Sequence, residues 1–163
     1  VNNVEYAPLE MNMSIDTYVS RKLSTDQSLQ MQQIAVENAE FSSKTISDSS
    51  TGSEYRTAEL EAANTARDYK TAKEDKEKSI REAYIQIQQL ESARKNLETD
   101  LAKAKSDHEK AQVNYQVGNI TQLDLEQAEL ALDNVENSLL ENTLNHDLLL
   151  FTFDNTCVLG SVS

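Results

Sequence analysis

The 163 residues carry a net charge of −13, which argues against a phosphate-backbone partner, since that binding needs clustered Lys and Arg. No Trp, three Phe and abundant Ala, Gln, Glu and Lys suit long helices better than a bulky core. The longest apolar run, Leu148-Leu149-Leu150-Phe151, falls far short of the roughly 18 residues of a membrane helix, so no direct membrane insertion is expected.

Breakers of regular structure are scarce: one Pro (Pro8) and three Gly (Gly52, Gly118, Gly160). They mark out the architecture. Residues 1–13 read as an irregular lead-in. Ser14, followed by Asp16 and Thr17, reads as the N-cap of a short helix through Leu23, so that 1–25 holds the lead-in and this helix. Ser24-Thr25-Asp26 is a second capping cluster, opening a helix over 26–47 that carries Leu29, Ile34, Val36, Ala39 and Phe41. Residues 42–53 are rich in Ser and Thr and read as a turn or flexible connection, with the break itself at 48–53.

Ser53 can cap a third helix over 54–116, about 95 Å long at 1.5 Å per residue. Its densely charged middle, Lys70 to Lys78, divides two packing regimes. Tyr55, Ala62, Ala66 and Tyr69 are expected against the helix from Asp26, and the later part against the final helix. Residues 117–121 form the tip, where Thr121 and Asp124 make a variant capping box. The last helix covers 122–154, and 155–163 is a non-helical tail. Cys157, the single cysteine, reads as a small packing residue.

The apolar spacing on either side of the tip is the strongest signal. Ile80, Ala83, Ile87, Leu90, Arg94, Leu97, Leu101, Ala104, His108, Ala111 and Tyr115 alternate steps of three and four. So do Leu125, Ala128, Leu132, Val135, Leu139, Asn142, His146, Leu149 and Phe153. That alternation is the repeat of a coiled-coil seam, and a short turn makes the two stretches neighbours. The expected fold class is all-α: a long antiparallel coiled-coil hairpin with an additional N-terminal helix packed on it, as one elongated domain over 1–163. A turn centred near Asn119 puts His146 near Glu91 and Arg94 near Thr143, and leaves His108 facing Leu130. The two histidines are then too far apart to share a metal.

With the turn in place, the chain resembles the TolC-like outer-membrane efflux protein family. Tyr115, Gly118, Thr121, Leu123, Asp124 and Leu125 sit at the spacing of that family's hairpin tip, followed by Ala128. Met13-Ser14-Ile15-Asp16-Thr17-Tyr18-Val19, with Leu23, Asp26 and Leu29, is similar to its opening helix. The departures are equally specific. Ser42–Ser53 is too short for two membrane strands of about 9–11 residues each, one helical repeat is present where the family usually has two, and Asn114 and Asn119 replace an Arg and a Leu at the tip.

The resemblance implies a non-enzymatic, tunnel-type component of an envelope efflux or secretion assembly, located in the periplasm or at the outer membrane. It would self-associate as a homo-oligomer and dock a membrane-fusion or adaptor protein through Tyr115, Val117, Gly118, Asn119, Ile120 and Thr121. A soluble coiled-coil scaffold is the rival. No catalytic, cofactor-binding or metal-binding residue is expected, because no phosphate loop, nucleophile elbow or Cys/His cluster occurs. After Lys110 there is no Lys or Arg, so the final helix is purely acidic. This marks a solvated face, or one that meets a basic partner or lines an aqueous passage.

Overall fold

The computed structural model describes residues 6–47 and 52–155. These form four helices and, among the described residues, no strand: α1 (Ile15–Thr25), α2 (Gln27–Ser47), α3 (Gly52–Gln116) and α4 (Gln122–Asn155). The tail residues Cys157 and Gly160 lie outside the described residues. The chain divides into two compact units, and α3 contributes to both.

The first unit to consider comprises α1, α2, α3 up to Tyr84 and the last turn of α4 from Thr152. Ser14 caps α1, its hydroxyl accepting from the Thr17 amide at 3.3 Å. The helix does not stop at Leu23 as expected but runs to Thr25. Ser24 and Thr25 do not cap: their hydroxyls donate back to the Arg21 carbonyl at 2.8 and 3.0 Å, the bonding available to such residues inside a helix. Capping falls to Asp26 alone. Its backbone is extended, and its carboxylate accepts from the Leu29 amide at 3.0 Å and the Ser28 hydroxyl at 2.6 Å.

Ser42 to Ser47 read as a connection by composition, yet they are helical and belong to α2, as the helix expected over 26–47 requires. The hydroxyls of Ser43 and Thr45 donate to the carbonyls of Glu40 and Phe41 at 3.0 and 2.9 Å, so the polar run feeds the helix instead of breaking it. Likewise Gly52, expected in the connection, is the first residue of α3. On the early part of α3, Ala58 and Ala62 are buried and Ala66 and Tyr69 half-buried, while Tyr55, on the same face near the start of the helix, is 37 % exposed. The aliphatic core adds Val19, Leu29 and Ile80. Phe153, also buried, stacks on Tyr18 with ring centroids 4.6 Å apart and planes 8° from parallel. Truncating so completely buried a Phe costs about 3–5 kcal/mol.

In the other unit, formed by the lead-in, α3 from Ile85 and α4 up to Phe151, α3 packs on α4. The residues removed from solvent on α3 between Ile87 and Ala111, and on α4 between Leu125 and Leu149, include every seam position read from the spacing. Tyr115 is the exception: it is exposed. Descending α3 from Lys105 through Arg94 to Glu91, the facing residues on α4 ascend from Glu136 through Thr143 to His146.

Candidate functional site

The turn between α3 and α4 is built by its backbone. The Gly118 amide donates to the Tyr115 carbonyl at 3.0 Å, and the Asn119 amide to the Asn114 carbonyl at 2.8 Å. This pair of bonds is the Schellman closure of a helix C-terminus, which places a left-handed residue just past the cap. Gly118 is that residue, with φ of 78°. A Cβ built on it would meet nothing within 4 Å, so the requirement for Gly is conformational and not spatial. Asn114 and Asn119 are the two residues joined by the closure bond that spans more of the chain. That position commonly carries an apolar contact, and here it is polar.

Thr121 then starts α4. Its hydroxyl accepts from the Asp124 amide at 3.3 Å, while the Asp124 carboxylate accepts from the Thr121 amide at 2.9 Å and its hydroxyl at 2.7 Å. These bonds from the Thr121 hydroxyl and amide hold the Asp124 carboxyl below its ordinary range. The six residues expected at the tip separate into two kinds. Gly118, Asn119 and Thr121 shape the backbone. Tyr115 and Val117 are exposed, Val117 at 65 %, whereas Ile120 is half-buried and tucks inward. Apolar exposure near the turn continues instead through Val113 and Leu123, which the spacing alone did not single out. Single exposures are ordinary, but four exposed apolar side chains lie within a few residues of one turn.

Deeper in the same unit lies a polar cluster. The Arg94 guanidinium donates to Thr143 Oγ1 at 2.5 Å and pairs with Glu98 at 3.0 Å. Fully buried His146 has its Nε2 3.7 Å from the Glu91 carboxylate and its Nδ1 3.3 Å from Asp147. Asn142 donates to the Leu90 carbonyl at 3.3 Å, but its Oδ1 has no hydrogen-bond partner among the described residues. The facing pairs Glu91–His146 and Arg94–Thr143 are those expected from a turn centred near Asn119. His108 is half-buried, 3.5 Å from Gln112 on its own helix.

The lead-in joins this cluster, a contact the spacing gave no sign of. Tyr6 sits with its ring 3.9 Å from the Arg94 guanidinium and 4.9 Å from the His146 ring. The Leu9 amide donates to Glu91 Oε1 at 2.8 Å. Burial, with the neighbouring Glu91 charge, raises the Tyr6 hydroxyl above its ordinary pKa.

Among the described residues, no group of three or more His, Cys, Asp or Glu side chains is placed to hold a metal ion. No helix there is long and apolar enough to cross a membrane. No protein family, curated protein or solved structure matches the chain.

Proposed function

We propose that α3 and α4 form an antiparallel coiled-coil hairpin, and that the chain is a non-enzymatic, tunnel-type component of an envelope efflux or secretion assembly. In this reading it works in an extracytoplasmic setting, by self-association and by docking its turn to a periplasmic adaptor-like protein. The observation that carries the reading is the turn itself. The Schellman closure at Gly118 and the reciprocal cap of Thr121 and Asp124 fix a rigid backbone. That backbone presents Tyr115, Val117 and Leu123 outward. Apolar side chains held on a rigid backbone bind with little ordering cost, which favours a docking role over a mere connection. The TolC-like spacing of Tyr115, Gly118, Thr121, Leu123 and Asp124 supports the same reading by resemblance.

The test is retention of envelope proteins by the immobilised full chain, compared with Val117→Asp/Leu123→Asp. Both substituted side chains are exposed, so helicity by circular dichroism should be unchanged. Partners held by the wild-type chain and lost by the variant support docking at the turn. Equal recovery by both leaves the turn a simple connection and favours the scaffold reading.

A further inference from the structure

Two outward faces of the unit containing the α3–α4 turn remain unused by its own packing, and their chemistry is opposite. On α4, Leu123, Leu130 and Leu144 are 62 %, 60 % and 51 % exposed and fall at multiples of seven residues. Glu126, Asp133 and Glu141 are exposed on the same side of the helix, and α4 carries no Lys or Arg. On α3, the side turned away from α4 carries exposed Lys95, Lys103 and Lys110 among the small residues Ser92, Thr99 and Ser106, and ends at exposed Val113. Of these lysines, Lys110 has an ion pair only within its own helix, to Asp107 at 3.2 Å.

We propose that the outward face of α4 is covered by the outward face of α3 from a second copy of this chain, in a head-to-tail contact that repeats around a ring. The proposal rests on the self-associating reading above and names the surfaces that perform it. Charge decides between the possible pairings. Two α4 faces would set carboxylates against carboxylates, and two α3 faces ammoniums against ammoniums. Only α4 on α3 brings opposite charges together, and such complementarity selects partner and register.

The register agrees. A copy related by rotation about an axis running alongside the helices keeps each residue at its own height, and within one chain Arg94 is level with Thr143. At those heights, Lys95 faces Glu141 of the second copy, Lys103 faces Asp133, and Lys110 faces Glu126. Leu123, Leu130 and Leu144 then fall against Val113, Ser106 and Ser92, where small side chains leave room for a leucine. A contact between different patches on each copy is heterologous, and it closes into a ring when the rotation permits.

The experiment is light scattering on three full-length samples: wild type, Lys95→Glu/Lys103→Glu/Lys110→Glu, and Glu126→Lys/Asp133→Lys/Glu141→Lys. All substituted residues are exposed, and circular dichroism checks that helicity is retained. The wild-type mass should be a multiple of 18.3 kDa. Each variant alone should fall to the single-chain mass, and an equal mixture of the two should assemble again above that mass, because each supplies the face the other needs. A monomeric wild type overturns the proposal. So does either variant remaining assembled alone, or a mixture that stays monomeric. Val117→Asp, at an exposed position outside both faces, measured alongside separates the two claims. Loss of partner retention with the multiple intact places docking at the turn and assembly on the faces, whereas partner retention by a monomeric chain sinks this proposal and spares docking.

Discussion

Arg94 on α3 and Thr143 on α4 are joined by a 2.5 Å hydrogen bond within the polar cluster between the two helices, and the same guanidinium lies 3.9 Å from the Tyr6 ring. One side chain therefore ties together three segments distant in sequence. Removing it leaves Thr143 satisfied, because its hydroxyl also donates to the Leu139 carbonyl at 2.8 Å. Arg94→Met keeps most of the aliphatic packing, so its cost falls on the lead-in. Hydrogen exchange should show the Leu9 amide, bonded to Glu91, losing protection in Arg94→Met and in Tyr6→Ala, while amides of α4 keep theirs. Unchanged protection at Leu9 in both variants would show that the lead-in is held by something else.

The neighbouring Asn142 carries an unpaired buried oxygen, and an unsatisfied buried polar atom costs about 1–3 kcal/mol. Asn142→Leu should accordingly raise the melting temperature by roughly 2–4 °C, the shift that about 1 kcal/mol produces in a chain of this size. A polar side chain at a seam position can also fix register at the expense of stability. A fall in melting temperature would mean that Asn142 is better satisfied than its geometry indicates.

At the turn, Gly118 needs a positive φ and has open space around it. Gly118→Val should destabilise the protein by at least about 1 kcal/mol, since a left-handed backbone penalises a branched side chain. Gly118→Asn should cost less, because Asn tolerates that conformation. Denaturant unfolding of the two variants gives the comparison, and equal losses would point to space instead of φ as the constraint. Thr121→Ala removes the α4 cap and should cost about 1 kcal/mol by the same measurement.

Asp26 should contribute to the acid sensitivity of the fold. Burial opposes its ionisation, yet the Lys76 ammonium, the Ser28 hydroxyl and the Leu29 amide together outweigh burial and lower its pKa. A carboxylate lowered in the folded state adds stability above its ordinary value, near 3.9, and loses it as pH falls through the folded value. The stability difference between wild type and Asp26→Asn should therefore be full near neutral pH and shrink below about pH 4. A difference that persists undiminished into strong acid would contradict the ion-pair account.

The parts of this fold that were legible in the sequence are those governed by local periodicity. Steps of three and four picked out Leu90, Arg94, Asn142 and His146 as facing residues despite the polarity of three of them, because position on a helix decides burial before chemistry does. Gly118 and the pair Thr121/Asp124 were legible because turn geometry restricts residue type. Three features escaped. The helical Ser43–Thr45 segment looks like a linker in composition, but its hydroxyls bond back to the helix. Tyr55 is 37 % exposed although it shares a helix face with buried Ala58 and Ala62, and periodicity says which face packs, not how far along the helix its cover extends. The seat of Tyr6 between Arg94 and His146 joins residues far apart in sequence, and no local pattern encodes it. Ile120 shows the same limit at the tip: a turn sequence does not say which of two apolar residues folds inward.

The central claim, that the chain assembles as the wall of a helical tunnel, is tested most directly by electron microscopy of the purified full-length protein. The account predicts closed rings with a hollow centre in end-on views, with α3 of one copy beside α4 of the next. Uniform single-chain particles, or open filaments without closure, would contradict it.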